Sequence, residues 1–264
     1  MGKALLGIIL MFAILIAGCA YEYEKAGNID YFPDISAKNE SSLQNKPTPD
    51  PANYTYITLT TDDGMELHGK FFEAESSKAV ILLHMLGRQH ENWDEFAAKL
   101  NRAGYNVLAI DLRGHGKSNV DWKEFADEQF TNMAIDVKEA KDFLFLKNSR
   151  FRYAIVGASI GANLALNHAV KDKDILGAVL LSPGLDYRGV KTGETVLSYG
   201  KRPVLLVASE EDTYSAESTR VLSSKIVGDK KQILFNNAGH GTDMLKAEPE
   251  LSDEILLWLD EVFE

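Results

Sequence analysis

A serine lies between two glycines where an apolar run passes into a helical pattern, in Gly157-Ala158-Ser159-Ile160-Gly161. In that context a G-x-S-x-G sequence is typical of a nucleophile elbow, in which a tight turn holds the serine in strained backbone. The glycines let strand and helix approach closely, and the next backbone N–H faces the oxyanion that develops on the substrate. We therefore predict that Ser159 is a nucleophile and that Ile160 donates its N–H to the oxyanion.

A serine hydroxyl needs a base to take its proton and an acid to orient that base. The predicted base is His240, which lies in the glycine-flanked loop "NNAGHGTDM" after the last predicted strand. The predicted acid is Asp212, a few residues beyond the strand "PVLLVAS", while Glu210 and Glu211 are expected to be solvated. Asp186, after the preceding strand, is the alternative acid. The order serine, acid, histidine is one that catalytic triads use.

The elements around these residues are strands and helices in alternation. The segments "YTYITLTT" and "ELHGKFFEA" alternate in polarity around the turn "DDG", which predicts an antiparallel hairpin. Unbroken apolar runs, typical of parallel strands buried on both faces, follow at 79–84, 106–111, 153–157, 177–182, 203–209 and 231–236. Helical stripes between the runs predict an open sheet with helices on both faces. Ligands bind such sheets at the carboxyl ends of the strands.

The combination of this elbow with "LLHMLG", "DLRGHGKS", "ASEEDTY" and "AGHG" resembles the α/β-hydrolase family, in particular its small serine esterases and dienelactone-hydrolase-like members. The resemblance covers residues 54–264. It implies that Leu86 donates the second oxyanion N–H, with Met85 as the alternative donor because methionine replaces the usual glycine there. It also implies that His84 and His115 support loops. We further expect Asp111 and Arg113 to form an ion pair.

About 20 residues separate Ser182 from Val204, too few for a cap domain, so little or no lid is expected. An open cleft favours small-molecule esters that are short-chain or otherwise accessible. The prediction is a carboxylesterase-like serine hydrolase that works through an acyl-enzyme, with no metal and no cofactor. The alternatives are a serine peptidase or amidase of the same fold and a non-catalytic, lipid-anchored binding protein.

The composition excludes several classes of partner. The formal net charge is −11, and no basic stripe is present, which argues against nucleic acid as a partner. The single cysteine, Cys19, rules out an intrachain disulfide and a cysteine-rich zinc site. The sequence gives no indication of the oligomeric state.

The N-terminus has its own pattern. Lys3 precedes an apolar run of about 15 residues, which is short for a membrane span and typical of a secretory signal. Its end, "LIAGC", resembles the lipobox of bacterial-type lipoproteins, which implies that Cys19 is lipidated. We predict a signal peptide at 1–18, a disordered tether at 19–52 and a hydrolase domain at 53–264, exported and anchored on the extracytoplasmic side of a membrane. An uncleaved anchor and an ordered arm at 20–52 are the alternatives.

Overall fold

An eight-stranded sheet runs through the part of the chain that the computed structural model describes, residues 54–117 and 120–264. The strands are numbered along the chain, and β7 and β8 belong to a separate short hairpin. The strands of the large sheet lie in the order β1-β2-β4-β3-β5-β6-β9-β10. The pairs β1–β2 and β2–β4 are antiparallel, and the remaining pairs are parallel, so the predicted hairpin and the mostly parallel sheet are confirmed. The strands are β1 Tyr54–Thr60, β2 Glu66–Phe72, β3 Lys78–Leu83, β4 Asn106–Ile110, β5 Arg152–Ala158, β6 Ile175–Leu181, β9 Val204–Ser209 and β10 Lys230–Phe235.

Helices cover both faces of the sheet. Alternate residues of a strand point to opposite faces, so Ile81 and Leu83 of β3 pack in one buried apolar cluster while Val80 and Leu82 pack in another. The first cluster takes residues from α3, α4 and α5, and the second takes residues from α1 and α7. The helices are α1 Asp94–Arg102, α2 Asp127–Thr131, α3 Met133–Lys147, α4 Ile160–Lys171, α5 Thr213–Lys225, α6 Met244–Ala247 and α7 Leu251–Phe263.

A short hairpin, which the sequence did not indicate, follows β6. It consists of β7 Asp186–Tyr187 and β8 Val190–Lys191, joined through Arg188 and Gly189. Both turn residues have positive φ, 51° and 82°, as a two-residue hairpin turn with matching twist requires. Arginine at the first position hides the usual Asn-Gly or Asp-Gly signal. Residues 183–203 thus hold this hairpin and one 3-10 turn, Thr195–Ser198, and no cap domain, in agreement with the predicted lack of a lid.

The predicted signal peptide, tether and Cys19 lie outside the described residues. Among residues 54–117 and 120–264, none of the helices combines the length and the apolar character needed to cross a bilayer.

Arg113 is the centre of a buried ion network that ties the loop after β4 to α3. Asp136 of α3 accepts hydrogen bonds from the backbone N–H and the Nε of Arg113, both at 2.8 Å. The guanidinium also binds Asp63 at 2.6 Å, and this hydrogen bond holds the pKa of Asp63 below its ordinary value. The expected pair of Asp111 with Arg113 is wrong, because the Asp111 Oδ1 accepts from the Nδ1 and the backbone N–H of His90.

Removing the Asp136 charge should destabilise the fold, because the Arg113 guanidinium would remain buried with an incomplete set of partners. We expect Asp136→Asn to lower the free energy of unfolding by about 3 kcal/mol, measured by urea denaturation. The matched control is Asp142→Asn on the same helix, whose exposed pair with Lys138 should contribute less than about 1 kcal/mol. Equal losses in the two variants would contradict this interpretation.

Candidate active site

Ser159 lies on a strained turn at the end of the central strand β5. Its φ of 55° and ψ of −121° fall in a region that non-glycine residues rarely adopt, and such a residue costs about 1–3 kcal/mol. The conformation is held from both sides: the Ser159 N–H donates to the Leu181 carbonyl at the end of β6, and its carbonyl accepts from Ala162 in the first turn of α4. The structure therefore has the backbone geometry expected of a nucleophile elbow.

The two glycines of the elbow are required by close backbone approach. A Cβ on Gly157 would overlap the carbonyl of Gly161, and a Cβ on Gly161 would overlap the carbonyls of Leu83 and His84 at the end of β3. Any side chain at these positions would push α4 away from the sheet. The G-x-S-x-G pattern thus reflects the packing of α4 across the ends of β3 and β5.

His240 and Asp212, predicted as base and acid, are brought together from loops that follow β10 and β9. The His240 Nδ1 and the Asp212 Oδ2 are 2.6 Å apart. Burial acts to raise the pKa of Asp212, but the hydrogen bond and charge of His240 outweigh it, so the pKa lies below its ordinary value. An ionised Asp212 accepts a hydrogen bond from the Nδ1–H of His240, which leaves the Nε2 lone pair available to take a proton. Asp186, the alternative acid, instead accepts from the Gly189 N–H on its own hairpin.

The histidine loop is fixed directly beside the elbow. Ser182 accepts on its Oγ a hydrogen bond from the Gly241 N–H at 2.9 Å, while the preceding residue, Leu181, accepts from the Ser159 N–H. A Cβ on Gly241 would also lie 3.4 Å from the Cβ of Ala158. Ser159 itself and Gly241, the neighbour of His240, are therefore hydrogen-bonded to two consecutive residues at the end of β6.

Glu211 is exposed, as expected, and it also holds the same loop. Its Oε1 accepts from the Gly239 N–H at 2.6 Å, and its other oxygen accepts from the Ser209 hydroxyl, whose oxygen in turn accepts from Ala238. Burial acts to raise the pKa of Glu211, and these hydrogen bonds outweigh it and lower the pKa. Sequence reasoning missed this contact because the two segments meet only in three dimensions. Glu210, which was also expected to be solvated, forms an exposed ion pair with Arg220.

His84 sets the orientation of the loop after β3. Its Nε2 accepts from the Leu112 N–H at 2.9 Å, so its Nδ1 carries the proton and donates to the Met85 carbonyl at 2.8 Å. Burial, together with the nearby His115, lowers the pKa of His84 to about 3 and keeps the ring neutral. In a planar trans peptide the C=O and N–H point in opposite directions. Fixing the Met85 carbonyl therefore turns the Leu86 N–H to the other side of the loop, which favours Leu86 over Met85 as donor.

Methionine in place of glycine at position 85 does not strain this loop. Of the described non-glycine residues, Ser159, Ser182 and Arg188 have positive φ, and Met85 does not. The Met85 side chain instead packs on the histidine loop, with its Sδ 4.0 Å from the Thr242 hydroxyl.

The outer side of the same loop borders a polar cleft. The Gly87 N–H donates to the His115 Nε2 at 3.0 Å, and the His115 ring stacks on Trp122, so His115 supports this loop as expected. The cleft has a volume of about 700 Å³ and includes Gly87, Arg88, His115, Trp122 and Lys123 in its lining. Its lining includes neither Ser159 nor His240, so this cleft adjoins the loop after β3 and is distinct from the site of the proposed triad.

Comparison with known proteins gives sequence matches at low identity. Residues 74–201 match the family model described as serine aminopeptidase, S33, which is just under half of the chain. An uncharacterised protein of Mycobacterium tuberculosis is 28% identical over 108 residues, which make up 41% of this chain. The matched stretch spans only 29% of the length of that relative.

Solved structures match over most of the chain. A Pyrococcus furiosus esterase superposes with a TM-score of 0.67 at 21% identity, covering 79% of this chain and 92% of the esterase. A dienelactone hydrolase from Anabaena variabilis superposes with a TM-score of 0.62 at 17% identity, covering 80% of this chain and 96% of that protein. With the sheet order and the helices on both faces, these likenesses show that the chain has the α/β-hydrolase fold.

Proposed function

We propose that this protein is a serine hydrolase that cleaves accessible carboxylic esters through an acyl-enzyme. The observation that carries the proposal is the position of the strained Ser159 beside a histidine loop whose His240 is hydrogen-bonded to an ionised Asp212. The likeness to an esterase and to a dienelactone hydrolase, both named for ester or lactone substrates, supports the same class of reaction.

The reaction follows from the placement of these groups. The Ser159 Oγ attacks the acyl carbon while the His240 Nε2 takes its proton, and the N–H groups of Leu86 and Ile160 bind the oxyanion. One such donor contributes about 3 kcal/mol to stabilising the transition state. As the tetrahedral intermediate collapses, His240 returns the proton to the leaving alcohol. Water then attacks the acyl-enzyme with His240 again as base, releasing the acid and freeing Ser159.

An aminopeptidase is the second candidate, because of the description of the matching family model. Such an enzyme binds the free α-ammonium of its substrate with carboxylates at the site. Two carboxylates near His240 are already engaged: Glu211 with Ser209 and Gly239, and Asp243 with Arg88 at 3.6 Å. These pairings favour an uncharged ester over an amino-terminal peptide.

The first test measures hydrolysis of p-nitrophenyl acetate, butyrate and palmitate by the purified protein, with alanine p-nitroanilide for comparison. We expect turnover that falls with acyl length and exceeds that of the anilide. Ser159→Ala should lower kcat on the order of 10⁶-fold, because the three residues act as a unit. Turnover unchanged in Ser159→Ala would refute the mechanism, faster anilide cleavage would favour the peptidase, and no turnover by the wild-type protein would favour a binding protein.

The acid is tested by removing its charge while keeping its shape. Asp212→Asn should lower kcat about 10⁴-fold, because an amide no longer fixes the His240 tautomer. Asp186→Asn, on the neighbouring hairpin, should leave kcat within about twofold, since its side chain bonds the Gly189 N–H and pairs with Lys191 on the same hairpin. If the two variants lost activity equally, the assignment of the acid would be wrong.

We also propose that the protein is exported and held on a membrane through a lipid on Cys19. The support is the sequence "LIAGC" at the end of the apolar run. We expect Cys19→Ser to move the protein from the membrane fraction to the soluble fraction of cells that express it, followed by immunoblotting. Retention in the membrane fraction would instead indicate an uncleaved apolar anchor.

A further inference from the structure

Tyr187, on the hairpin after β6, lies beside the proposed base His240. Its ring meets the His240 ring edge-on, with centroids 6.4 Å apart. Its hydroxyl lies 2.9 Å from the Ser215 Oγ and 3.3 Å from the Ser182 carbonyl. Burial raises its pKa well above the ordinary range, and interactions with the Ser215 and Ser159 side chains only partly offset this. The phenol is therefore neutral, with one proton to donate.

Ser215 connects this phenol to the acid. It is fully buried in the first turn of α5, the helix that Asp212 caps, and its backbone N–H lies 3.4 Å from the Asp212 Oδ1. The Ser215 hydroxyl is also among the groups that lower the pKa of Asp212. A series of contacts thus runs from the Tyr187 hydroxyl to the Ser215 Oγ, from the Ser215 backbone N–H to Asp212, and from Asp212 to His240.

The hairpin that carries Tyr187 is attached to the nucleophile helix. Asn163, one turn after Ser159 in α4, donates to the Val190 carbonyl at 2.7 Å and accepts from the Gly184 N–H at 3.0 Å. Thr192 donates to the Gly184 carbonyl at 2.6 Å. These side chains are buried, so water does not compete for their hydrogen bonds. The hairpin and α4 are therefore held in one arrangement.

The Tyr187 ring is also confined on its sides. A Cβ on Gly184 would overlap the ring, 2.6 Å from its Cε2, so the backbone packs directly on its face. Tyr214 of α5 meets it edge-on at 5.5 Å and bonds through its own hydroxyl to the backbone of Asp186. The position of the phenol is thus set by both the nucleophile helix and the helix that follows the acid.

We propose that Tyr187, together with Ser215, is a positioning residue of the active site, which fixes the Asp212 carboxylate and the His240 ring relative to Ser159. The inference rests on the proposed hydrolase function. Its basis is the series of contacts from the phenol to the His240–Asp212 pair. The hairpin that holds the phenol follows β6, where related folds can carry a lid.

The kinetic test compares Tyr187→Phe, Ser215→Ala and the double variant in p-nitrophenyl acetate hydrolysis. Each single variant should lower kcat about tenfold with little change in KM, because alignment is lost and substrate contact is not. The double variant should lose little more than either single one, since both changes break the same series of contacts. Tyr199→Phe is the control: this tyrosine is also held by a hydrogen bond, but its hydroxyl donates to the Pro203 carbonyl, so kcat should stay within about twofold.

A second measurement reads the position of the acid without relying on turnover. The far-downfield proton resonance of the His240 Nδ1–H, assigned by its loss in His240→Ala, should shift upfield and exchange faster with water in Tyr187→Phe and Ser215→Ala. It should be unchanged in Tyr199→Phe. If wild-type protein cleaves no substrate, the proposed function fails, and the resonance alone decides this inference. The positioning role is wrong if kcat or the resonance in Tyr187→Phe matches that in Tyr199→Phe. It is also wrong if the kcat losses of Tyr187→Phe and Ser215→Ala are additive in the double variant.

Discussion

The backbone turn at Ser159 is the constraint around which the site is arranged. A left-handed residue between β5 and α4 is stable only if the strand and the helix approach closely, and two glycines make that approach possible. The carbonyls at the end of β3 then pack against Gly161, and the end of β6 accepts from the Ser159 N–H. The strain is offset by packing in the centre of a sheet that is buried on both faces.

Polar side chains, most of them buried, connect the loops at this edge of the sheet. His84 links the loop after β3 to the loop after β4, and Arg113 links that second loop to α3. Ser182 and Glu211 hold the histidine loop from the ends of two different strands. His84, Arg113 and Ser182 are buried, so the cost of removing them from water is recovered only when their partner loops are in place. Loop positions at the site are consequently coupled to one another.

The hairpin after β6 lies beside the proposed active site. Where a cap domain would cover the proposed active site, residues 183–203 stay close to α4 and place a neutral phenol beside His240. For the proposed hydrolase, the lack of a cap domain in residues 183–203 suits substrates that present a small ester.

The sequence by itself determined the eight strands of the large sheet, their mostly parallel arrangement and the order of Ser159, Asp212 and His240, because hydrophobic period and turn residues are local signals. It also placed the glycines whose role the packing explains. Only the tertiary structure decided that His240 lies against Asp212 and not Asp186, that Arg113 binds Asp136 and not Asp111, and that Glu211 and Tyr187 contact the site. These pairings join residues that are far apart in the chain. A local sequence pattern cannot predict them, because the folded sheet decides which loops lie next to each other.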